Sequence, residues 1–502
     1  MSQVFLVGAG PGGRDYLTLR AVDVLAKAEV VLYDDLVDPQ LLALAPQNAL
    51  RLDVGKRAGQ PSLDQTEISA LLLFHARAGS RVVRLKSGDS FIFGRAVEEL
   101  EALSLAGFDF EVVPGISTAL AAPLLAGIPL TDKAWSQHFC VLSAHQAESL
   151  PWRALAQIDT LVILMGTRNL STIAKHLMDC GRPPAMPVAV IYWAGRPEQR
   201  TIVGTLETIA QQVVQETGPA VIVIGPVVRH REKFLWFDRR PLFGRRILVT
   251  RAVEQATEFS LALRSLGAEV LEMPALEVTA PTSWEALDRA IAEIRAYSWL
   301  ILTSANGVVA FFERLKFHGL DLRALADVRV AVVGPKTAKV AAEFGLRPDF
   351  MPKSYVADAL LAEFPECEKL LGARILFVRV ESGGREVITQ QLIAWGALVD
   401  EVAGYRSECP KNTDPDCLAA LRAGQIDCVT FASTKTVHNF VQLLTGEQIT
   451  SLLKGVSIAS IGPQTSKACF EHFGRVDIEA TEYTLEGLQS AIVKQFSRHQ
   501  PD

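Results

Sequence analysis

Short apolar runs alternate with segments of helical periodicity along the first half of the chain. The first run, residues 4–7, is typical of a buried parallel strand, and apolar positions between residues 17 and 25 then recur at helical spacing. Further runs of strand length lie at residues 30–33, 81–85, 110–113, 139–143, 161–165, 188–192 and 220–224. This rhythm predicts an α/β fold.

The pattern lapses between residues 228 and 244, where charged residues end in Pro241 and indicate a linker. Beyond the linker the α/β rhythm returns and contains an internal repeat. Residues 244–251, 266–270, 303–306 and 333–337 are echoed by residues 372–379, 395–399, 432–435 and 461–465. The nearly constant offset predicts duplication of a whole α/β unit rather than a solenoid.

The composition is that of an ordinary globular protein. The chain has 502 residues, a length that suggests about three domains, with 49% apolar residues, 21% charged residues and a net charge of −6. This charge argues against nucleic acid as a partner, and no apolar run is long enough for a membrane span. Seven scattered cysteines and an N-terminus without a basic leader predict a cytoplasmic protein with reduced thiols. The scattered histidines predict no metal site.

A glycine-rich turn, residues 8–13, joins the first predicted strand to the first predicted helix. Gly8, Gly10 and Gly13 satisfy the G-x-G-x-x-G pattern of dinucleotide-binding folds, and Asp34 lies where a ribose-binding acid belongs. This stretch alone leaves two interpretations open: a nicotinamide-dependent enzyme, or a glycine turn that binds no ligand.

Glycine or proline also follows other predicted strands. Such loops lie at residues 54–59, 86–95, 113–119, 127–131 and 165–166. A nicotinamide-binding fold concentrates its glycines in one turn. The distribution in this chain therefore favours one ligand that is held by many strand ends.

These motifs, in this order, resemble the uroporphyrinogen-III C-methyltransferases of the tetrapyrrole methylase family across residues 1–240. The resemblance is carried by residues 8–12, 33–34, 54–59, 84–95 and 113–119. It implies two α/β subdomains, S-adenosyl-L-methionine as cofactor and a homodimer formed through this half. The cofactor-binding residues it implies are Gly10, Pro11, Ser87, Gly88, Asp89, Ile92, Ser117, Thr118, Met165 and Ala194.

The same resemblance implies that Asp34 accepts a proton and Lys56 donates one when a pyrrole carbon attacks the sulfonium methyl group. A carboxylate and an amine in one pocket suit that chemistry. The alternatives are a strand-end cap for Asp34 and a solvated surface position for Lys56. Nearby basic residues either neutralise carboxylates of the tetrapyrrole or lie in solvent: Arg51, Lys56, Arg57, Arg81, Arg84 and Lys86.

Three short segments depart from the pattern of that family. Ser87 replaces a glycine beside the cofactor, and Asp132-Lys133 replaces a His-Arg pair. Residues 143–145 read Ser-Ala-His instead of Thr-Gly-His. The added hydroxymethyl group of Ser87 is expected to weaken cofactor binding, and Asp132 argues against a substrate-binding histidine at its position.

Residues 244–502 resemble uroporphyrinogen-III synthase. The resemblance implies two α/β lobes, approximately 244–276 plus 408–500 and 280–402, with the chain crossing between them near 276–279 and 402–407. The implied substrate, hydroxymethylbilane, readily loses water, so the protein mainly folds it and steers the closing carbon. Tyr405 matches the family's tyrosine near the leaving hydroxyl. Substrate-binding candidates are hydroxyls at predicted strand ends: Ser304, Thr337, Ser433, Thr434 and Thr465.

Some of these candidates have a structural alternative. Thr337 and Thr465 follow Gly-Pro-x at predicted helix starts, so each could be an N-cap, and both roles can hold because helix N-termini also receive carboxylates. Either Arg251 or Arg379 is expected to bind a carboxylate, unless the two form a surface pair.

The sequence therefore predicts a fused enzyme acting on small tetrapyrroles. It makes uroporphyrinogen III and methylates it twice to precorrin-2, for sirohaem or cobalamin synthesis. The alternative is an active methyltransferase attached to a C-terminal, non-catalytic, two-lobed ligand-binding module.

Overall fold

The computed structural model describes residues 3–55, 63–251, 253–354, 357–382 and 387–497. The chain divides into two compact units. One contains Met1–Arg246, Leu261–Val270 and Val493–Asp502, and the other contains Ile247–Ser260 and Leu271–Ile492. The described residues contain four five-stranded sheets, and the α/β class predicted from the apolar runs is confirmed.

The first sheet is parallel. Its strands are β1 (Val4–Gly8), β2 (Val30–Tyr33), β3 (Leu50–Asp53), β4 (Val82–Lys86) and β5 (Phe110–Val113), in the spatial order β3-β2-β4-β1-β5. Its helices are α1 (Leu19–Leu25), α2 (Gln65–Arg77), α3 (Ala96–Leu105) and α4 (Thr118–Leu125). Every residue of β1 and β4 is buried, as expected for central parallel strands.

The order of these strands creates a crevice. Because β4 lies between β2 and β1, the chain continues from β1 and from β4 towards opposite edges of the sheet. The loops that follow these two strands therefore lie at a topological switch point, where open α/β sheets bind ligands.

The second sheet is mixed. Its strands are β6 (Phe139–Ser143), β7 (Thr160–Leu164), β8 (Pro187–Tyr192), β9 (Arg200–Thr205) and β10 (Ala220–Ile224), in the order β6-β7-β10-β8-β9. Its helices are α5 (Trp152–Leu155), α6 (Leu170–Asp179), α7 (Ile209–Gln212) and α8 (Arg231–Phe234). Helix α4 also packs on this sheet, since Ala119 and Ala122 share an apolar cluster with Val162 and Ile191. The start of α4 is thereby fixed relative to both sheets.

The remaining strands form two further sheets. They are β11 (Arg246–Val249), β12 (Glu269–Glu272), β13 (Glu277–Thr279), β14 (Trp299–Leu302), β15 (Arg329–Val332), β16 (Arg374–Val380), β17 (Leu398–Glu408), β18 (Cys428–Phe431), β19 (Ser457–Ser460) and β20 (Ile478–Glu479). One sheet has the order β12-β11-β18-β19-β20 and the other β13-β17-β16-β14-β15.

The helices around these sheets follow the strands in alternation. They are α9 (Val253–Ser265), α10 (Glu285–Ala292), α11 (Ala305–Phe317), α12 (Pro335–Glu343), α13 (Ala357–Ala362), α14 (Val387–Ala394), α15 (Pro415–Arg422), α16 (Thr434–Leu443), α17 (Ile449–Leu452), α18 (Pro463–Phe473) and α19 (Leu485–Ser497). Helices α11, α12, α16 and α18 each begin directly after a strand, so their N-termini lie at the carboxyl edges of the two sheets.

Strand β17, with 11 residues, has two different partners. It runs parallel to β16, and its last residues pair antiparallel with β13, where Thr279 lies opposite Arg406. The register with β16 shifts between Arg379 and Val380, so that Val380 lies opposite Tyr405. Such a bulge re-aims the side chains next to it.

Two features are not found among the described residues. None of their helices combines the length and the apolar character that crossing a membrane requires. No three side chains of His, Cys, Asp or Glu in the same ranges gather as they would around a metal ion.

Candidate functional site

Two glycine loops meet at the switch point of the first sheet. The N–H of Gly10 donates to the carbonyl oxygen of Gly88 at 3.1 Å, and the N–H of Gly88 donates to that of Gly10 at 2.9 Å. Both residues have positive φ, +71° and +69°, a region that glycine enters at little cost. The loops after β1 and β4 are thus held together by their own backbones.

A third loop, after β5, packs against these two. A Cβ on Gly8 would lie 2.6 Å from the Cα of Gly115, and a Cβ on Gly115 would lie 2.2 Å from the oxygen of Gly88. The Asp89 carboxylate joins the loops, because Oδ2 accepts from the N–H of Gly115 at 3.0 Å and Oδ1 accepts from that of Phe91 at 2.8 Å. The three loops are packed so closely that a side chain would not fit at these positions, and each loop therefore requires glycine.

Helix α4 begins beside this bridge. Ser117 is its N-cap and accepts from a backbone N–H of its own helix at 3.3 Å. The hydroxyl oxygen of Thr118 lies 3.2 Å from the place that a Cβ on Gly88 would occupy. The first turn of α4 therefore forms one wall of the crevice.

The first loop also touches the segment after β8. A Cβ on Gly12 would lie 2.5 Å from the oxygen of Gly195, and a Cβ on Gly195 would lie 3.4 Å from the oxygen of Pro11. Ala194 belongs to the apolar cluster beneath α4. The structure therefore gathers these predicted cofactor-binding residues around one crevice: Gly10, Pro11, Gly88, Asp89, Ser117, Thr118 and Ala194.

The other three predicted cofactor-binding residues are less closely tied to the crevice. Ser87 precedes the bridge at Gly88 and is half-buried. The N–H of Ile92 donates to the backbone carbonyl oxygen of Asp89 at 3.3 Å, and Ile92 is 45% exposed. Met165 follows β7, is 52% exposed and takes no part in the contacts above.

Four large residues that follow strands of the first two sheets have left-handed backbone conformations. They are Phe93 (φ +56°), Arg95 (+52°), Met165 (+53°) and Trp193 (+50°). Non-glycine residues in such strained conformations cost on the order of 1–3 kcal/mol and concentrate at ligand sites. Residue type provides no signal for this strain, so sequence reasoning missed it.

Asp34 follows β2, and its side chain is 31% exposed. Its Oδ1 accepts from Nη2 of Arg84 in the neighbouring strand β4. The carboxylate is therefore anchored in an ion pair and still reaches solvent. Lys56, the other predicted catalytic residue of this half, lies outside the described residues, as does Arg57.

The basic residues near Asp34 are occupied by the protein itself. Arg84 and Lys86 are 2% and 3% exposed, and both bind the fully buried carboxylate of Glu99, at 3.1 Å and 2.9 Å. Burial lowers the pKa of Lys86, and the charge of Arg84 lowers it further. Arg51 donates to backbone carbonyls between residues 42 and 49. Arg84 and Lys86 are therefore neither in solvent nor placed to neutralise substrate carboxylates, and both interpretations are wrong for these two residues. For Arg51, which is half-buried, carboxylate binding stays a prediction.

Asp132, which departs from the family pattern, holds a tight turn. Its Oδ1 accepts from the N–H groups of Ala134 at 2.8 Å and Trp135 at 2.9 Å, and its Oδ2 lies 3.2 Å from Nε2 of His230. These hydrogen bonds keep the pKa of Asp132 below its usual value, and the bond from the N–H of Ala134 has the largest effect. The carboxylate thus has a structural use at this position.

In the second half, Ser304 and Tyr405 are in direct contact although separate motifs predicted them. Oγ of Ser304 lies 3.0 Å from the hydroxyl of Tyr405 and also accepts from the N–H of Gly307 at 3.1 Å, as the N-cap of α11. The bulge opposite Val380 places Tyr405 at this helix start. A Cβ on Gly307 would lie 3.2 Å from Oγ of Ser304, so glycine allows the close packing.

Ser433 and Thr434 form the corresponding helix start after β18. Ser433 is the N-cap of α16 and shares a capping box with Thr436. The hydroxyl of Thr434 donates to the carbonyl oxygen of Gln464 at 3.2 Å and so joins the starts of α16 and α18.

Thr337 and Thr465 are not N-caps. The caps of α12 and α18 are Gly334 and Gly462, and proline occupies the first position of each helix. The threonines are third in their helices and are 6% and 4% exposed. The N-cap alternative is therefore wrong for both.

The two predicted carboxylate-binding arginines differ in their surroundings. Arg379 is buried and pairs with Glu401 at 2.6 Å. Burial lowers the pKa of Arg251, which follows β11. Burial also lowers the pKa of Lys336 in α12, and the charge of Arg251 lowers it further. The positive charges of Arg251 and Lys336 thus influence each other, and a pair of such charges suits an anionic ligand.

Two family models match the chain. The model described as Tetrapyrrole (Corrin/Porphyrin) Methylases matches residues 3–210. The model described as Uroporphyrinogen-III synthase HemD matches residues 257–490. The two matches do not overlap.

Curated relatives resemble both the whole chain and its halves. The porphyrin biosynthesis protein HemD of Ruminiclostridium josui is 36% identical over 496 residues, 97% of this chain and 96% of that protein. In Synechococcus elongatus, the uroporphyrinogen-III C-methyltransferase is 53% identical over 231 residues, 46% of this chain and 95% of that protein. The uroporphyrinogen-III synthase of the same organism is 48% identical over 258 residues, 50% of this chain and 96% of that protein.

Proposed function

Because the chain belongs to the tetrapyrrole methylase family in its first half and to the uroporphyrinogen-III synthase family in its second, we propose that it catalyses two consecutive reactions. The second half cyclises hydroxymethylbilane to uroporphyrinogen III with inversion of the last ring. The first half methylates this product twice and gives precorrin-2, for sirohaem or cobalamin synthesis. The match that carries the proposal is the full-length relative, which keeps both halves in one chain.

The crevice at the switch point fits S-adenosyl-L-methionine. At Gly8, Gly88 and Gly115 even a Cβ would meet backbone or side-chain atoms of the other loops, so the crevice is lined by bare backbone that a ligand can approach closely. We assign the binding residues predicted from the sequence, Gly10, Pro11, Ser87, Gly88, Asp89, Ile92, Ser117, Thr118, Met165 and Ala194, to this cofactor. When bound, it supplies an electrophilic methyl group.

Asp34 is the proposed proton acceptor of methyl transfer. Each methyl addition to the reduced macrocycle releases one proton, and a carboxylate that is anchored yet 31% exposed can receive it. Arg84 keeps the carboxylate in one orientation, so that it stays in place to receive the proton from the methylated carbon. Lys56 is the proposed proton donor.

Tyr405 is the proposed aid to the leaving group in ring closure. Its hydroxyl, 3.0 Å from Oγ of Ser304, can donate to the hydroxyl of hydroxymethylbilane as that group departs as water. Ser304, Thr337, Ser433, Thr434 and Thr465 are proposed to bind the substrate at the helix starts, where N–H groups also receive carboxylates. Arg251 is proposed to bind one carboxylate beside Lys336.

Anaerobic incubation of the full chain with hydroxymethylbilane, with and without S-adenosyl-L-methionine, tests both reactions. We expect uroporphyrinogen III without the methyl donor and a dimethylated product with it, each identified by mass spectrometry and isomer analysis. Uroporphyrinogen I alone in the absence of the donor would contradict the synthase assignment. It would instead support a non-catalytic ligand-binding module in the second half.

We propose that residues 1–240 form the methyltransferase domain and residues 244–502 the synthase domain, with lobes of about 244–276 plus 408–500 and 280–402. The four sheets support this division, since no sheet draws strands from both ranges. The seven free cysteines support a reducing compartment, so we propose the cytoplasm.

We also propose a homodimer through the first half. Leu120, Leu124 and Trp236 expose 48%, 61% and 50% of their surface along α4 and the segment beside it, which supports an apolar contact there. Sedimentation equilibrium should give twice the mass of one chain, and a single-chain mass at micromolar concentration would exclude the dimer.

A further inference from the structure

The proposed base, Asp34, belongs to a group of four charged side chains. Arg84 and Lys86 are two residues apart in β4 and therefore point to the same face of the sheet. Glu99, in the first turn of α3, is fully buried against them, and Asp34 is the member of the group that reaches solvent. Buried ion pairs are weak contributors to stability, because desolvation offsets their attraction. Their position next to the base therefore points to a role in the reaction.

Glu99 is the centre of this group. Its Oε1 accepts from Nε of Arg84 at 3.1 Å, from Nζ of Lys86 at 2.9 Å and from Nε2 of Gln65 at 3.1 Å. The other oxygen, Oε2, is buried and has no hydrogen-bond partner in the described part of the chain. One carboxylate oxygen therefore orients two cations at once.

Arg84 passes this orientation to Asp34. Its Nη1 donates to the carbonyl oxygens of Leu32 at 3.4 Å and Leu85 at 3.2 Å, and its Nη2 donates to Oδ1 of Asp34. The guanidinium is planar, with donors in fixed directions. Once Glu99 holds Nε and the strand carbonyls hold Nη1, the direction of Nη2 is determined, and with it the place of the Asp34 carboxylate.

We infer that Glu99 is a positioning residue for methyl transfer, which acts through Arg84 to hold the Asp34 carboxylate where it receives the proton of the substrate. The inference rests on the proposed function of Asp34 as the base. Glu99 is 0% exposed, so it does not touch the substrate itself. A displacement of a reacting group by about 1 Å is enough to cost a large factor in rate, on the order of a hundredfold.

The test is Glu99→Gln in the full chain. The amide keeps the shape and places its nitrogen where Oε2 has no partner among the described residues, while it removes the charge that strengthens the bonds to Arg84 and Lys86. We expect single-turnover methylation of uroporphyrinogen III to slow by roughly tenfold or more, with the Kd of S-adenosyl-L-methionine unchanged. Glu101→Gln, on the exposed side of the same helix, is the matched control and should keep the parent rate.

A double-mutant cycle separates positioning from a general structural effect. If Glu99 acts through Asp34, adding Glu99→Gln to Asp34→Asn should cause no further loss of rate. Equal rate losses in both backgrounds would overturn the inference, as would a parent rate for Glu99→Gln alone. An unmodified chain that fails to methylate uroporphyrinogen III would instead overturn the proposed function.

A second variant covers the case in which Glu99→Gln does not fold. Arg84→Lys keeps the positive charge beside Asp34 but loses the fixed fork of donors. We expect slower methylation at unchanged cofactor affinity. A parent rate for this variant would show that the orientation of the guanidinium does not matter.

Discussion

Replacing Gly10 with alanine should weaken cofactor binding and leave ring closure intact. Gly10 has a φ of +71°, where alanine costs roughly 1–2 kcal/mol. The new Cβ would lie 2.7 Å from the carbonyl oxygen of Tyr16, too close for a real contact, so the loop must shift and the bridge to Gly88 must distort. Losing one well-placed contact of about 1.4 kcal/mol lowers affinity tenfold, so we expect the Kd to rise by at least that factor.

Gly79→Ala is the matched control for this variant. Gly79 has a φ of +80°, and nothing lies within 4 Å of the position of its Cβ, so the substitution brings the same strain without the collision. Calorimetric titration with S-adenosyl-L-methionine should show a weaker Kd in Gly10→Ala alone, while both variants lose some thermal stability. The yield of uroporphyrinogen III should equal that of the parent in both. An unchanged Kd in Gly10→Ala would refute the assignment of residues 8–13 to the cofactor.

Three further substitutions test the two sites. Asp34→Asn should bind S-adenosyl-L-methionine as the parent does and lose about 10²–10⁴-fold in methylation rate, so that uroporphyrinogen III accumulates. A parent methylation rate with normal stability would exclude Asp34 as the base. Tyr405→Phe should slow ring closure by about thirtyfold, which corresponds to a hydrogen bond of about 2 kcal/mol, and raise the share of the non-inverted isomer that forms spontaneously. An unchanged rate and isomer ratio would make Tyr405 structural. Ser304→Ala should lose about 1 kcal/mol of stability with its N-cap and slow ring closure less than Tyr405→Phe does; an unchanged rate of ring closure would contradict substrate binding by Ser304.

The strands of the first half were predictable because their apolar runs are continuous. Residues 30–33 and 110–113 coincide with β2 and β5, and residues 4–7 fall within β1. The first glycine loop was predictable as well, because a turn between a buried strand and a helix has a recognisable composition. The bridge between Gly10 and Gly88 was not, since it joins residues far apart in the sequence.

The burial of the charged side chains around Glu99 could not be predicted from the sequence. Arg84 and Lys86 alternate with Val83 and Leu85 in β4, a pattern typical of a strand with one wet face. In the structure this face of the strand is buried, because Glu99, on the helix that follows the strand, supplies the opposite charge. A single sequence does not show which acidic side chain will pair with which basic side chain when the two lie on different secondary-structure elements.

The error at Thr337 and Thr465 had a signal that was available. Proline prefers the first position of a helix because its missing N–H is not needed there, so the cap of a Gly-Pro-x-Thr segment is the glycine. The threonines then lie one turn inside, where their side chains are buried.

The two halves meet different chemical demands with different kinds of side chain. Ring closure starts from a substrate that loses water readily, so the hydroxyl groups proposed for it, those of Ser304 and Tyr405, need only make neutral hydrogen bonds worth about 1 kcal/mol each. Methyl transfer needs a base beside the carbon that attacks, and the proposed base, Asp34, is a carboxylate anchored by the buried Arg84. Because buried charged partners depend on one another, removing one of them leaves the others unpaired at a cost of about 3–5 kcal/mol. Substitutions in the synthase site should therefore have graded effects, whereas those around Asp34 should be severe and strongly non-additive.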